Sequence, residues 1–205
     1  MRIVLLKFPG ERVGLEQVRP VLQSESASWV EEEASLRIYH AVEFAETYAY
    51  VQFSVLHNEF QSIKDDVCQA LHRALAVAHP LVEVVSLQRT LEVAGHSAGK
   101  PSGWHYVVET DVQPGAEGDF NDWYSTEHLP GLAAVPGTVV ARRYISCAGS
   151  PKHYATYDLE TIETFGSEPW VAVRATDWSS RVRPNFVNTK RTMFRRASDS
   201  LLKEE

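Results

Sequence analysis

The chain has 205 residues, 44% hydrophobic and 23% charged, with a formal net charge of −7, which is material for one large or two small globular domains with buried cores. Lys and Arg form no long run, which argues against nucleic acid and against an anionic membrane surface as partners. Cys68 and Cys147 lie far apart and fit no metal-ligand spacing, no apolar run approaches a transmembrane span, and the apolar start is cut short by Pro9-Gly10-Glu11, so a reducing cytoplasm is the expected location.

Residues Arg2–Phe8 read as a first strand ended by Pro9-Gly10. Residues 14–30 can carry a helix interrupted at Pro20. Leu36–Phe44 and Thr47–Val55 follow as strands. Phe60–Ala78 has the clearest helical spacing, with Phe60, Ile63, Val67, Ala70, Leu71, Ala74, Leu75 and Ala78 on one face before His79-Pro80 ends it. Leu81–Val93 then alternates as a strand, completing the order β-α-β-β-α-β.

Residues 94–103, AGHSAGKPSG, read as a linker, after which the order repeats. Trp104–Val112 is a strand, Asp119–His128 a helix with Asp119 as N-cap, and Thr138–Ser146 with Lys152–Leu159 a pair of strands around Gly149-Ser150-Pro151. Glu168–Ser180 supplies a helix and Asn188–Arg196 the last strand. Leu36-Arg37-Ile38-Tyr39 aligns with Ala141-Arg142-Arg143-Tyr144, Tyr48-Ala49-Tyr50-Val51 with Tyr154-Ala155-Thr156-Tyr157, and Gln88-Arg89-Thr90-Leu91 with Lys190-Arg191-Thr192-Met193. The offset stays close to about a hundred residues, as a tandem repeat requires.

The expected fold is therefore α+β: two tandem ferredoxin-like βαββαβ repeats packing sheet to sheet as a pseudo-dimeric α+β barrel. Residues 1–97 form the first repeat, 98–103 the linker, 104–197 the second repeat and 198–205 a charged, frayed tail.

One stretch stands out. Phe120-Asn121-Asp122-Trp123-Tyr124-Ser125-Thr126-Glu127-His128-Leu129-Pro130, then Val135-Pro136-Gly137 and Arg143-Tyr144, resembles the EthD-like branch of the dimeric α+β barrel superfamily. The motif spans residues 117–146 and the element order spans most of the chain. The first half has no equivalent cluster; the constant offset sets Gln23 near the place of His128. The resemblance implies a ferredoxin-like fold, and a superfamily that holds lactone isomerases, polyketide cyclases, cofactor-free monooxygenases and haem-handling enzymes does not by itself name a reaction.

Read as residues, Phe120 and Trp123 anchor the helix to its sheet. His128 at the helix end, with Glu127 beside it, sits where the dipole favours imidazolium; it either projects toward a barrel mouth as an acid or base or caps backbone carbonyls. Tyr124 can donate to a carbonyl or enolate oxygen. Arg142 and Arg143 point to opposite faces of their strand, and whichever faces the cavity could hold an oxyanion. The candidate catalytic set is thus His128, Tyr124, Arg142 and Arg143, with Trp123, Tyr144 and Glu127 as ligand contacts and no metal. The base near the C-terminus, Arg181, Arg183, Lys190, Arg191, Arg195 and Arg196, reads as solvated surface.

Three functions stay open: a cofactor-independent isomerase, cyclase or monooxygenase-like enzyme with His128 as acid or base on an apolar carbonyl, lactone or aromatic compound; a non-catalytic or stress-associated binder of a hydrophobic ligand; and a haem-related role with His128 as axial ligand. The expected partner is a small apolar organic ligand or substrate, no cofactor is expected, and unpaired edges could still drive a homodimer.

Overall fold

A computed structural model describes residues 2–26, 34–53 and 65–201. Two compact units are resolved: residues 1–88 with 195–205, and residues 89–194.

In the first unit, β1 (Arg2–Pro9), α1 (Leu15–Ser26), β2 (Ala34–Ala41), β3 (Glu46–Phe53), α2 (Asp65–Ala76) and the first half of β4 (Glu83–Ala94) follow one another. Hydrogen bonding orders the strands β4-β1-β3-β2, with the end of β8 (Phe186–Leu201) beside β2. The β1–β3 register pairs Val4 with Val51 and Leu6 with Ala49. These side chains share one sheet face and pack against Val18 and Leu22 of α1 and Leu71 and Leu75 of α2.

That packing explains a departure from expectation. Pro20 lies inside α1, and the helix runs through it without interruption. An interior proline costs about 3 kcal/mol. Fully burying Val18 and Leu22, one on each side of it, stabilises by about 1.5–3 kcal/mol each. The parts of the expected elements at residues 27–30, 54–55 and 60–64, including Phe60 and Ile63, lie outside the described residues.

In the second unit, β5 (Trp104–Val112), β6 (Thr138–Ser146) and β7 (His153–Leu159) lie in the order β8-β5-β7-β6, with Arg89–Ala94 of β4 beside β6. Residues 95–100 of the expected linker form a turn fastened to this unit, with the Gly95 N–H on Val139 O and the Ser97 N–H on Thr138 O. A Cβ at Gly95 would stand 2.0 Å from Thr138 O, so only glycine fits this approach. The expected helix at 168–180 is two helices, α5 (Glu168–Arg174) and α6 (Asp177–Val182). Thr176 divides them: its extended backbone ends the first, and its hydroxyl caps the second by accepting from the Ser179 N–H at 3.0 Å. Strand β8 begins two residues earlier than expected and continues through Ser198 to Leu201.

The two units thus share element order and strand order. No helix among the described residues is long and apolar enough to cross a membrane.

Candidate functional site

The stretch that stood out in the sequence is a helix with a wide turn in its middle. It comprises α3 (Glu117–Trp123), a π turn (Tyr124–His128) and α4 (Leu129–Ala133). The expected stop at Leu129-Pro130-Gly131 is absent, because the wide turn accommodates the proline. In a regular helix the ring of Pro130 would press on the carbonyl four residues back. Here the Leu129 N–H reaches back five residues to Tyr124 O and the helix passes on. The hydroxyls of Ser125 and Thr126 donate to Asn121 O and Asp122 O and occupy carbonyls in the disturbed turn. Gly131 lets α4 approach α5, where a Cβ would meet Val173 Cγ1 at 2.9 Å. The chain turns only at Pro136-Gly137, where Gly137 takes φ +94°.

Asp119 is not the N-cap; that position belongs to Ala116. Its carboxylate instead accepts from Trp178 Nε1 at 2.8 Å and from two nitrogens of Arg181, joining α3 to α6.

His128 consequently sits inside the helix–sheet core of the second unit, 7% exposed, and not at a helix end. Its ring lies nearly parallel to Trp123, with centroids 4.1 Å apart, and Tyr124 meets it edge-on at 5.2 Å. Burial, then the positive charges of Arg174, Arg183 and Arg143, pull its pKa down to about 3. The expected imidazolium is a neutral imidazole, because desolvation and like charge both oppose protonation here. Its buried Nδ1 has no hydrogen-bond partner.

Two more buried polar atoms beside it are also unpartnered, Tyr157 Oη and Trp170 Nε1. All three residues line one cavity, whose rim carries Arg174, Arg183 and Arg191. The enclosed space is about 20 Å³, room for about one water, within a funnel of about 340 Å³ counted out to its open mouth. Tyr106, Tyr157 and Trp170 pack as a mutual aromatic group along its wall. Burial holds the Tyr157 hydroxyl well above the usual tyrosine range, so it remains a donor.

The other expected residues divide. Arg143 shares the helix-facing side of β6: its guanidinium lies 4.4 Å from the Tyr124 ring centroid and 5.0 Å from that of Phe120, and Nη2 donates to Asn121 Oδ1 at 3.0 Å. It is buried and holds the helix, but it does not line the cavity. Burial pushes Tyr124 up to about 12. Arg142 and Tyr144 occupy the opposite sheet face, away from His128. There Arg142 bridges Glu92 at 2.6 Å and Asp158 at 2.8 Å, and Asp158 also accepts from His105 Nδ1 at 2.6 Å. Burial opposes the Asp158 charge, yet His105 and Arg142 together pull its carboxyl below the usual range. Burial raises Tyr144 to about 12. Glu127 ties Trp123 Nε1 to the Thr176 hydroxyl and so fixes the helix.

Sequence reasoning passed over Tyr157, Trp170 and Arg174, and it read Arg183 and Arg191 as solvated surface although both line this cavity. A signal existed for Arg191: it stands two residues before Met193 on a strand, hence on the same face, and Met193 packs into the helix–sheet core. Among the described residues, no group of His, Cys, Asp and Glu side chains could hold a metal ion.

No family profile matches the chain, and no curated protein matches it in sequence. Solved structures do resemble it. An anthrone oxidase-like protein superposes with TM-score 0.65 at 12% identity, covering 99% of this chain and 94% of its own. A proposed monooxygenase from Lactobacillus acidophilus gives TM-score 0.60 at 11% identity, covering 98% and 96%. A haem-degrading enzyme from Listeria monocytogenes gives 0.53 at 8%, covering 95% and 99%. They share its fold. At such identities the likeness establishes a ferredoxin-like α+β fold and nothing about chemistry.

Proposed function

We propose that the protein binds a small organic molecule in the aromatic cavity of the second unit and acts on it without a cofactor. The substrate class is a small carbonyl, lactone or aromatic compound. The observation that carries this reading is the convergence of three buried, unpartnered polar atoms, His128 Nδ1, Tyr157 Oη and Trp170 Nε1, on one cavity. Each unmet buried group costs about 1–3 kcal/mol, and what sets these three apart is that they line one cavity together. A bound carbonyl or enol would satisfy them.

In this role His128 is a neutral hydrogen-bonding partner or base. It is not a general acid at neutral pH, because it is already in its neutral form and its one remaining N–H serves only to donate a hydrogen bond. Tyr157 and Trp170 donate toward the oxygen on which charge develops. A ligand larger than water requires the half-buried Arg174 and Arg183 side chains to turn away from the wall. No haem is routed through His128, which is buried and stacked flat on Trp123. Likeness to the haem-degrading enzyme therefore carries no haem step here.

The halves of the chain also support descent from one duplicated repeat, the second carrying the EthD-like motif. The aligned segments fall in the same register, Tyr39 opposite Tyr48 in the first unit and Tyr144 opposite Tyr154 in the second.

The test is a screen of small ketones, lactones and phenols against tryptophan fluorescence, with product detection by mass spectrometry. A hit should lose binding or turnover in His128→Gln and Tyr157→Phe. Unchanged turnover in both variants would exclude this site.

A further inference from the structure

We infer that the ligand of this cavity is an acid, a planar compound bearing a carboxylate or phenolate oxygen; this rests on the cavity reading above and narrows it. The chain carries a net charge of −7, yet Arg174, Arg183 and Arg191 gather at one mouth, and no carboxylate lines it. None of the three guanidinium groups has a salt-bridge or hydrogen-bond partner among the described residues.

They also repel one another. Burial, then Arg174 and Arg191, destabilise the charged form of Arg183. The same three charges reach Tyr106 on the cavity wall. Neighbouring arginines behave differently: Arg181 is matched to Asp119, and Arg142 to Glu92 and Asp158. Unmatched like charges at a half-buried mouth cost stability, and a single anion relieves all three contacts at once.

Deeper in, the tyrosine O–H and the tryptophan N–H are both donors with nothing to donate to. A trapped water could satisfy those donors, but it would leave the three positive charges unrelieved. An acidic oxygen answers both. The aromatic wall of Tyr106, Tyr157 and Trp170 selects a planar body behind that oxygen.

The experiment compares benzoate with benzamide, which match in size and planarity and differ in charge. Binding is read by the fluorescence of the full-length protein, since Trp123 and Trp170 both line the cavity. Benzoate should bind about tenfold tighter, the value of one charge-assisted pairing. That preference should vanish in Arg183→Gln/Arg191→Gln and persist in Arg181→Gln, which lies outside the cavity and controls for bulk charge. As a second readout, ring-nitrogen NMR should show benzoate raising the pKa of His128 from about 3. Equal affinity for benzoate and benzamide would overturn the acid assignment and leave the cavity reading standing. So would a preference that survives the double substitution. Failure of both probes to bind would overturn both.

Discussion

The helix-facing sides of the two sheets occupy the same register and are filled by opposite chemistry. In the first unit, Val4, Val51 and Leu36 lie side by side across three strands; in the second, the matching row is Tyr106, Tyr157 and Ala141. One row further along, Leu6, Ala49 and Ile38 match Val108, Ala155 and Arg143. The first unit closes its core with aliphatic groups that ask nothing of their surroundings. The second builds the same layer from tyrosines and tryptophans whose polar ends need partners, and leaves Tyr157 and Trp170 without one. The backbone tolerates either filling, so the fold did not require the second one. A departure of this kind is where a functional site is to be sought.

The other sheet faces repeat the contrast. Ile3 lies opposite Gln52 in the first unit, whereas His105 lies opposite Asp158 in the second.

Substitutions can break this comparison or sharpen it. The largest effect is expected from Trp170→Ala, which removes a fully buried indole and should cost about 3–5 kcal/mol in denaturant unfolding, with no counterpart of that size among the described residues of the first unit's layer. Asp158→Ala follows closely. It leaves Arg142 and His105 facing each other without their shared carboxylate, and should cost about 3–5 kcal/mol.

A third test is pH. The folded-state pKa of His128 lies near 3, below the ordinary value of 6.5, so the unfolded chain takes up the proton first as acid is added. Stability from this group is whole above about pH 6.5 and declines as pH falls toward 3, by up to about 1.4 kcal/mol per pH unit. His128→Gln should flatten the thermal midpoint across that window, and an unchanged slope would mean His128 is not buried neutral. The smallest effect belongs to Tyr157→Phe. Deleting a hydroxyl that has no partner should not destabilise the ligand-free protein and should raise its stability by about 1 kcal/mol. A loss would show that the hydroxyl is already satisfied.

Most strands were legible because alternation on a half-buried sheet is a short-range signal. Trp104–Val112 and Thr138–Ser146 fall where the sequence placed them. The helices were less so. Pro20 and Pro130 read as breaks, and both lie inside helices, the first held by the core around it and the second eased by a wide turn. The motif pointed to the right helix, and Trp123, Tyr124 and His128 do come together. Their setting was not legible: whether a histidine beside a glutamate ends up charged at a mouth or neutral in a core depends first on burial and then on charges distant in the chain, Arg174 and Arg183. Glu127 and His128, neighbours in the sequence, are divided by the helix itself, one turned to Thr176 and the other to the cavity.

The π turn has a consequence for anyone comparing this helix with a regular one. It holds one residue more than an α turn, so everything after Tyr124 is a step out of phase with a standard helical wheel. Matching residue for residue through this point would pair His128 with a neighbour that faces elsewhere. The correct correspondence opens a one-residue gap at the bulge. A relative without that extra residue can keep Trp123 and Pro130 in place and still present a different side chain to the cavity, so gain or loss of a single codon here would re-aim the site without disturbing the sheet beneath it.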